Sequence, residues 1–421
     1  MKNKIGVLTT FYDFSNSYSL TSVVEAQLTA LVKYGYETVL FVHDNFKDDE
    51  KVPKGVEIRK VVPRFLLIDY SSCQEPNADL ENQAITAYEA LKEHTQDIDV
   101  IFQHDLIFQG WFLPYCMAIH KLARERPAIR WFHWIHSVPS IKPADIKHPH
   151  TLRYELPPNS KLVYLNNHSI VRAAEAYGLY PKDVRIAHNA VDPRLFWNLH
   201  PLVKNLLDRY DILEADFVQA YPLSTPRMVS GKGLYALIDI FSQFKKLGRK
   251  VSLIVCNAHA NDKREKQIIG EAQGYALSKG LGTGEVIFTS LEMQPDYEHG
   301  VPREVVSQLL HLSNLFIFPS ISENCSLVLL EAMLSKNLLV LNESVQSMRE
   351  FGKENALYFR FGGLDESVNY DDRERFMEDV ARIIISEFQQ NKALRAANDA
   401  KRHFNYDYLF RTQIEILLNE K

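Results

Sequence analysis

Short apolar runs alternate with helix-periodic segments along the whole of this 421-residue chain, and that alternation constrains its fold more than any other feature. Residues 5–9, 38–42, 56–62, 100–102, 129–135, 162–165 and 184–187 each read as a buried strand. The first intervening helix carries Val23, Val24, Leu28, Leu31 and Val32 at helical spacing. Ser22 is its expected N-cap, with Glu25 completing a capping box and Gly35 ending the helix. Apolar strands joined by amphipathic helices imply a parallel sheet covered on both faces.

The pattern restarts after Phe196. Strands are expected at 217–221, 251–255, 285–289, 315–318 and 338–341. Helices are expected at 233–246, 267–279 and 305–312, from near Ser326, and from Phe376 onward with a break near Asn405. The fold class is therefore α/β, with two Rossmann-like doubly wound domains spanning 1–195 and 196–404. A last helix, 405–421, is expected to pack back on the N-terminal domain. The boundary falls in 189–200, where Pro193 and the following Pro201 break structure.

Net charge of −5 gives no global footprint for nucleic acid. Cys73, Cys116, Cys256 and Cys325 are scattered, which excludes a C-x-x-C zinc or redox motif and fits a reducing cytosol. The apolar run 5–8 is too short for a signal peptide or a membrane span. A soluble cytoplasmic protein is expected, with peripheral membrane association left open. Asp97-Ile98-Asp99 imitates a metal-binding pair but precedes its strand, and no metal or cofactor is expected.

Two doubly wound domains place ligands at the carboxyl ends of their strands. There the strongest signal is Glu323-Asn-Cys-Ser-Leu-Val-Leu-Leu-Glu331, after Pro319-Ser320 and followed by Ala332-Met333. One carboxylate follows a strand and the other lies within the next helix. At about 1.5 Å per helical residue they stand roughly 10 Å apart, comparable to the span from sugar to ribose in a nucleotide-sugar. Between them, N–H groups near Cys325 and Ser326 open a helix and favour a phosphate. In this frame the chain resembles the retaining glycosyltransferases of family 4, which have the GT-B fold. The resemblance covers nearly the whole length. It implies transfer of a sugar from a nucleotide-sugar, UDP- or GDP-linked, to a hydroxyl acceptor. It assigns Glu323 to the donor sugar's hydroxyls and Glu331 to the ribose. Asn324, Cys325, Ser326, Leu327 and Thr289 fall on the donor side.

Arg227 and Lys232, followed by Gly233, match the family's pair of cations, which stabilise a departing diphosphate without a metal. Pro226 stands where the family has Gly. His188-Asn189-Ala190-Val191-Asp192 resembles its interdomain turn, with Asn189 facing the reaction. His136 ends the aromatic run Trp131-Phe132-His133-Trp134-Ile135 and is expected to donate a hydrogen bond to a sugar hydroxyl. His133 falls on the opposite face. His104 and Ser17 are assigned to the acceptor or sugar side. Residues 13–21 lack the family's Gly-Gly pair, so Ser15, Asn16, Ser17 and Ser19 are expected to replace it.

Three rival readings accompany this one. A nucleotide-sugar epimerase shares the fold but needs no acceptor. A non-catalytic sugar-binding module has no use for the two cations. A hydroxymethylated DNA base is an alternative acceptor, motivated by Lys121, Arg124, Arg126, Arg130, Lys142, Lys147 and Arg153 interleaved with Trp131, Trp134 and several histidines. Oligomeric state is not legible from these residues.

Overall fold

The computed structural model describes residues 3–420 apart from 16, 67, 138–139, 230, 293–298, 365–367 and 369. The chain divides into two compact units. One comprises Met1–Asp192 with Phe404–Lys421, the other Pro193–His403.

The first unit holds seven parallel strands: β1 (Lys4–Leu8), β2 (Glu37–His43), β3 (Val56–Val62), β4 (Val100–His104), β5 (Arg130–Ile135), β6 (Ser160–Tyr164) and β7 (Arg185–Ile186). Their order is 3-2-1-4-5-6-7. The order reverses between β1 and β4, which pair directly with Ile5 opposite Val100. This is a doubly wound sheet, with helices such as Ser19–Lys33 and Leu113–Glu125 supplying apolar faces. Phe410, Ile414, Leu417 and Leu418 join the same core as Ile5, Val24, Phe102 and Trp134.

The second unit holds β8 (Phe217–Ser224), β9 (Val251–Ala258), β10 (Val286–Phe288), β11 (Leu315–Phe318), β12 (Leu338–Asn342) and β13 (Ala356–Phe359). They form two parallel triplets, 10-9-8 and 11-12-13. Side chains stitch the seam between β8 and β11. The fully buried Gln219 amide donates to the Ile317 carbonyl at 2.8 Å and accepts from its N–H at 2.9 Å. Asn314 Oδ1 accepts from Val218 N at 3.0 Å, and Ser313 Oγ from Ala220 N at 2.8 Å. The α/β class with two Rossmann-like units is thus observed.

Several local expectations shift. The first helix begins at Ser19, not after Ser22, because Leu20 is drawn into the core; Ser22 therefore lies inside the helix and caps nothing. A capping box does occur elsewhere: Asp262 and Glu265 open the helix Lys263–Ser278, four residues earlier than expected. The strand expected to reach Thr289 ends at Phe288, and Thr289 opens a short helical turn. No helix among the described residues is long and apolar enough to cross a membrane.

Candidate active site

In the second unit, the strand order reverses between β8 and β11, the place where doubly wound sheets bind their ligands. Gly231 and Gly233 both sit at φ +73° in the loop after β8. A Cβ on Gly233 would stand 2.6 Å from Pro319 Cγ and 2.7 Å from its carbonyl oxygen, so only glycine permits this approach. The loop thereby lies against the segment after β11, with Ile321 N donating to the Gly231 carbonyl at 2.8 Å. The close approach brings Lys232 Nζ onto Glu323 Oε1 as a hydrogen-bonded ion pair. Ser320 Oγ donates to the same carboxylate oxygen at 2.9 Å, and Ser347 Oγ donates to the Glu323 carbonyl at 2.6 Å. The Tyr221 hydroxyl donates to the Lys232 carbonyl. Both charged side chains are largely buried, 19% and 13% exposed, so the pair is positioned rather than floating on the surface.

Arg227 ends a short turn directly after β8. It is exposed, and its guanidinium has no hydrogen-bond or ion-pair partner among the described residues. Ser326 caps the helix Leu327–Leu334 by accepting from Leu329 N. Its hydroxyl oxygen thus accepts within the helix while its O–H remains able to donate, and Asn324, Cys325 and Leu327 beside it are exposed. Glu331 lies in the same helix and accepts from Arg303 at 2.9 Å. Thr289 departs from its expected role: it is fully buried and its hydroxyl donates to the Val255 carbonyl, so it faces the core and presents nothing to a donor.

In the first unit, the reversal lies between β1 and β4, and the residues at the ends of β4 and β5 meet there. His104 Nδ1 lies 2.8 Å from His136 Nε2, and His104 Nε2 lies 3.0 Å from Gln27 Oε1. Asp105, at φ +62°, accepts from the His136 backbone N–H at 2.8 Å and from Gln109 Nε2 at 3.0 Å. Burial pushes the Asp105 carboxyl up to about 6 and the His136 imidazole down to about 4, and it holds His104 well below its usual value. Both imidazoles are therefore neutral at pH 7, each with one N–H. Because the Gln27 carbonyl oxygen accepts, His104 carries its proton on Nε2 and accepts at Nδ1; His136 then carries its proton on Nε2. These tautomers are assigned from the hydrogen-bond order.

This corrects two expectations. The His136 N–H is spent on His104, so the imidazole offers a ligand an accepting Nδ1, which has no partner among the described residues, instead of a donor. His104 is only 2% exposed and reaches a ligand through His136, not directly. His133 lies inside the sheet, bonded to Gln103 and Ser160. Asn189 is exposed and lines a narrow crevice with Gln27, Trp134 and His188. Ser17 is exposed, 2.8 Å from Ser15 Oγ. Asn16 lies outside the described residues.

Much of the basic, aromatic-rich segment is taken up by the core and by backbone contacts. Trp131, Trp134, His133 and His150 are all buried. Arg130 donates to the carbonyls of Leu418 and Glu420, and Arg153, also buried, donates to those of Phe108 and Tyr70. Asp97 is likewise structural: Arg59 grips it with two bonds of 2.8 Å and Lys4 with one of 2.7 Å.

Sequence reasoning quoted Ser320 only as part of the motif, without its bond to Glu323, and missed Gln27, Ser347 and Tyr221. Gln27 alone left a trace, as a polar residue inside the apolar stripe of the first helix. The other three act through backbone atoms or a shared oxygen, which spacing does not reveal.

No family model matches the chain, and no curated protein matches it in sequence. Among solved structures it is similar to a glycosyltransferase from Rickettsia africae, at 15% identity, 100% coverage of both chains and a TM-score of 0.34. It is similar to a sucrose-phosphate synthase from Thermosynechococcus elongatus, at 14% identity, covering 99% of this chain and 98% of that one, TM-score 0.35. It is also similar to Anabaena HepE in complex with UDP, at 16% identity, covering 98% and 99%, TM-score 0.33.

Proposed function

We propose that the chain is a retaining, metal-independent glycosyltransferase of the family-4 type. It would move a sugar from a nucleotide-sugar, UDP- or GDP-linked, to a hydroxyl acceptor. The observation that carries the reading is the Lys232–Glu323 pair at the β8/β11 reversal, with the exposed Arg227, which has no partner among the described residues, at the end of β8. A lysine held against a carboxylate is a cation waiting for an anion. When a diphosphate arrives, Lys232 exchanges Glu323 for phosphate oxygens, and Glu323 becomes free to accept hydrogen bonds from sugar hydroxyls. Arg227 and the amino end of the helix Leu327–Leu334 add to the stabilisation of charge that grows on the leaving phosphate. Glu331 is assigned to the ribose, and His136 Nδ1 to a hydroxyl of the sugar or acceptor.

Transfer breaks the bond from the anomeric carbon to phosphate oxygen and forms one to the acceptor oxygen. No carboxylate is assigned as nucleophile, so substitution occurs on one face, and the departing phosphate takes the acceptor's proton. The test is incubation with a panel of UDP- and GDP-sugars, with and without saccharide or lipid acceptors, followed by assignment of the product's anomeric configuration. Nucleoside diphosphates should also raise the melting temperature by mass action. Conversion of donor without any acceptor makes the protein an epimerase, and an inverted product overturns the mechanism.

A further inference from the structure

A second cavity lies in the first unit, at the carboxyl ends of β1, β2 and β3. It is an open surface groove of about 420 Å³, lined by the exposed side chains of Tyr12, Asp13, Asn45, Lys47 and Arg64. We propose that it binds an anionic sugar, one bearing a phosphate or a carboxylate. The site does not depend on the transferase reading; only its identification as the acceptor site rests on that reading.

The walls are built, not accidental. The segment after β1 is tied to the segment after β2 by His43 N to Phe11 O at 3.1 Å, Lys47 N to Tyr12 O at 2.9 Å, and Phe14 N to the Asp48 carboxylate at 2.8 Å. The Tyr115 hydroxyl anchors the chain after β3 by donating to the Pro63 carbonyl at 2.6 Å, one residue before Arg64. Tyr12 is held on both sides. Its ring stacks on His43 at 4.1 Å, and the Arg64 guanidinium lies 5.1 Å from its centroid.

Charge distinguishes this cavity from its surroundings. Neighbouring cations have carboxylate partners: Lys51 with Asp48 at 3.0 Å, Lys60 with Asp49 at 2.8 Å, and Arg59 with Asp97 at 2.8 Å. Lys47 and Arg64, the two that line the cavity, have none among the described residues. Both cations line the same groove, Arg64 resting against the Tyr12 ring, and neither is neutralised by an ion pair with the Asp13 that lines it too. A planar guanidinium fork and an ammonium suit a phosphate or carboxylate. Asp13 and Asn45 supply acceptors and a donor amide for sugar hydroxyls, and the Tyr12 ring, braced by His43 and Arg64, forms part of the wall.

The test is equilibrium binding to the full chain, by calorimetry or ligand-observed NMR, with glucose 6-phosphate, glucuronate, glucose and inorganic phosphate, all without donor. Both anionic sugars, or one of them, should bind at least about tenfold tighter than glucose and tighter than inorganic phosphate; which one does so names the anion. The double variant Lys47→Ala/Arg64→Ala should abolish that preference, while Arg64→Lys should retain part of it and shows that the fold is intact. Equal binding of glucose and the anionic sugars overturns the proposal. So does inorganic phosphate that matches glucose 6-phosphate, or an anionic preference that survives the double variant. Nucleoside diphosphate binding, measured on the same samples, reports separately on the second unit. A protein that binds the sugar anion but no nucleotide supports this site and sinks the transferase reading.

Discussion

The two strand-order reversals solve one geometric problem in opposite electrical ways. In the first unit β1 and β4 pair directly, and the polar groups at the sheet's end, Gln27, His104 and His136, form a buried chain of neutral hydrogen bonds. In the second, β8 and β11 are joined through the side chains of Gln219, Ser313 and Asn314, and their loops hold a partly exposed ion pair. Burial decides the difference. Desolvation lowers the two imidazoles of the first unit, whereas Lys232 and Glu323 face each other as an ion pair that still reaches solvent.

The largest expected effect tests whether the units are separately stable. Deleting residues 405–421 removes Phe410, Leu417 and Leu418 from the first unit's core. Each such loss costs roughly 2–5 kcal/mol, and together they approach the whole stability of a domain. Calorimetry should show the first unit's transition lost and the second unit's kept. An unchanged thermogram would mean that this segment is a dispensable tail.

Next comes the charged reversal. Lys232→Ala and Arg227→Ala should each slow transfer by about 10²-fold or more with folding nearly intact, since one preorganised donor contributes a few kcal/mol to the transition state. Wild-type turnover in either variant removes the phosphate clamp from the mechanism.

The neutral reversal should respond less and differently. Gln27→Leu deletes the acceptor that orders the two histidines, and transfer should fall about tenfold, near the ~1 kcal/mol of one net hydrogen bond, while nucleotide affinity stays unchanged. Gln27→Glu keeps an acceptor but adds a charge that favours imidazolium, so its acid limb should move to higher pH than the wild type's. Identical pH profiles for wild type and Gln27→Glu would show that the relay does not govern His136.

Acid should separate the units without mutation. Burial lowers the histidines of the first unit, to about 4 for His120 and His136 and about 3 for His133. Below the ordinary histidine value near 6.5 the unfolded chain takes up protons that the native imidazoles refuse, so stability is lost as pH falls from about 6.5 toward 4. Asp105, raised to about 6, acts in the opposite sense between about 3.8 and 6, and burial raises Glu25 likewise, but these are two groups against several. In the second unit the buried Lys401 is lowered to about 7, so its loss of stability occurs as pH falls from about 10.5 to 7 and is complete above the acid window. The first unit's melting transition should therefore shift more between pH 6.5 and 4, and equal shifts would refute the electrical contrast. The smallest effect concerns Glu331→Ala, which should weaken nucleoside diphosphate binding more than it slows bound chemistry. Unchanged affinity counts against a ribose contact.

The sequence alone determined what is periodic and local. Apolar runs and helical stripes specify a doubly wound α/β chain, because burial on both faces of a parallel sheet leaves that pattern in every strand. Lys232 and Glu323 were legible for the same reason: each follows a buried strand, where such folds expose their loops. What the tertiary structure decided depends on groups far apart in the chain. Gly233 had to pack on Pro319 before Lys232 could reach Glu323, 91 residues away. Gln27 had to meet His104 across 77 residues before His136 became an acceptor instead of a donor. Thr289 turned inward because its strand ended one residue early. Trp131 and Trp134, which suggested a binding surface, were claimed by the core. Periodicity records whether a side chain is buried, but the partner it finds there, and hence its proton, is settled only when distant elements close upon it.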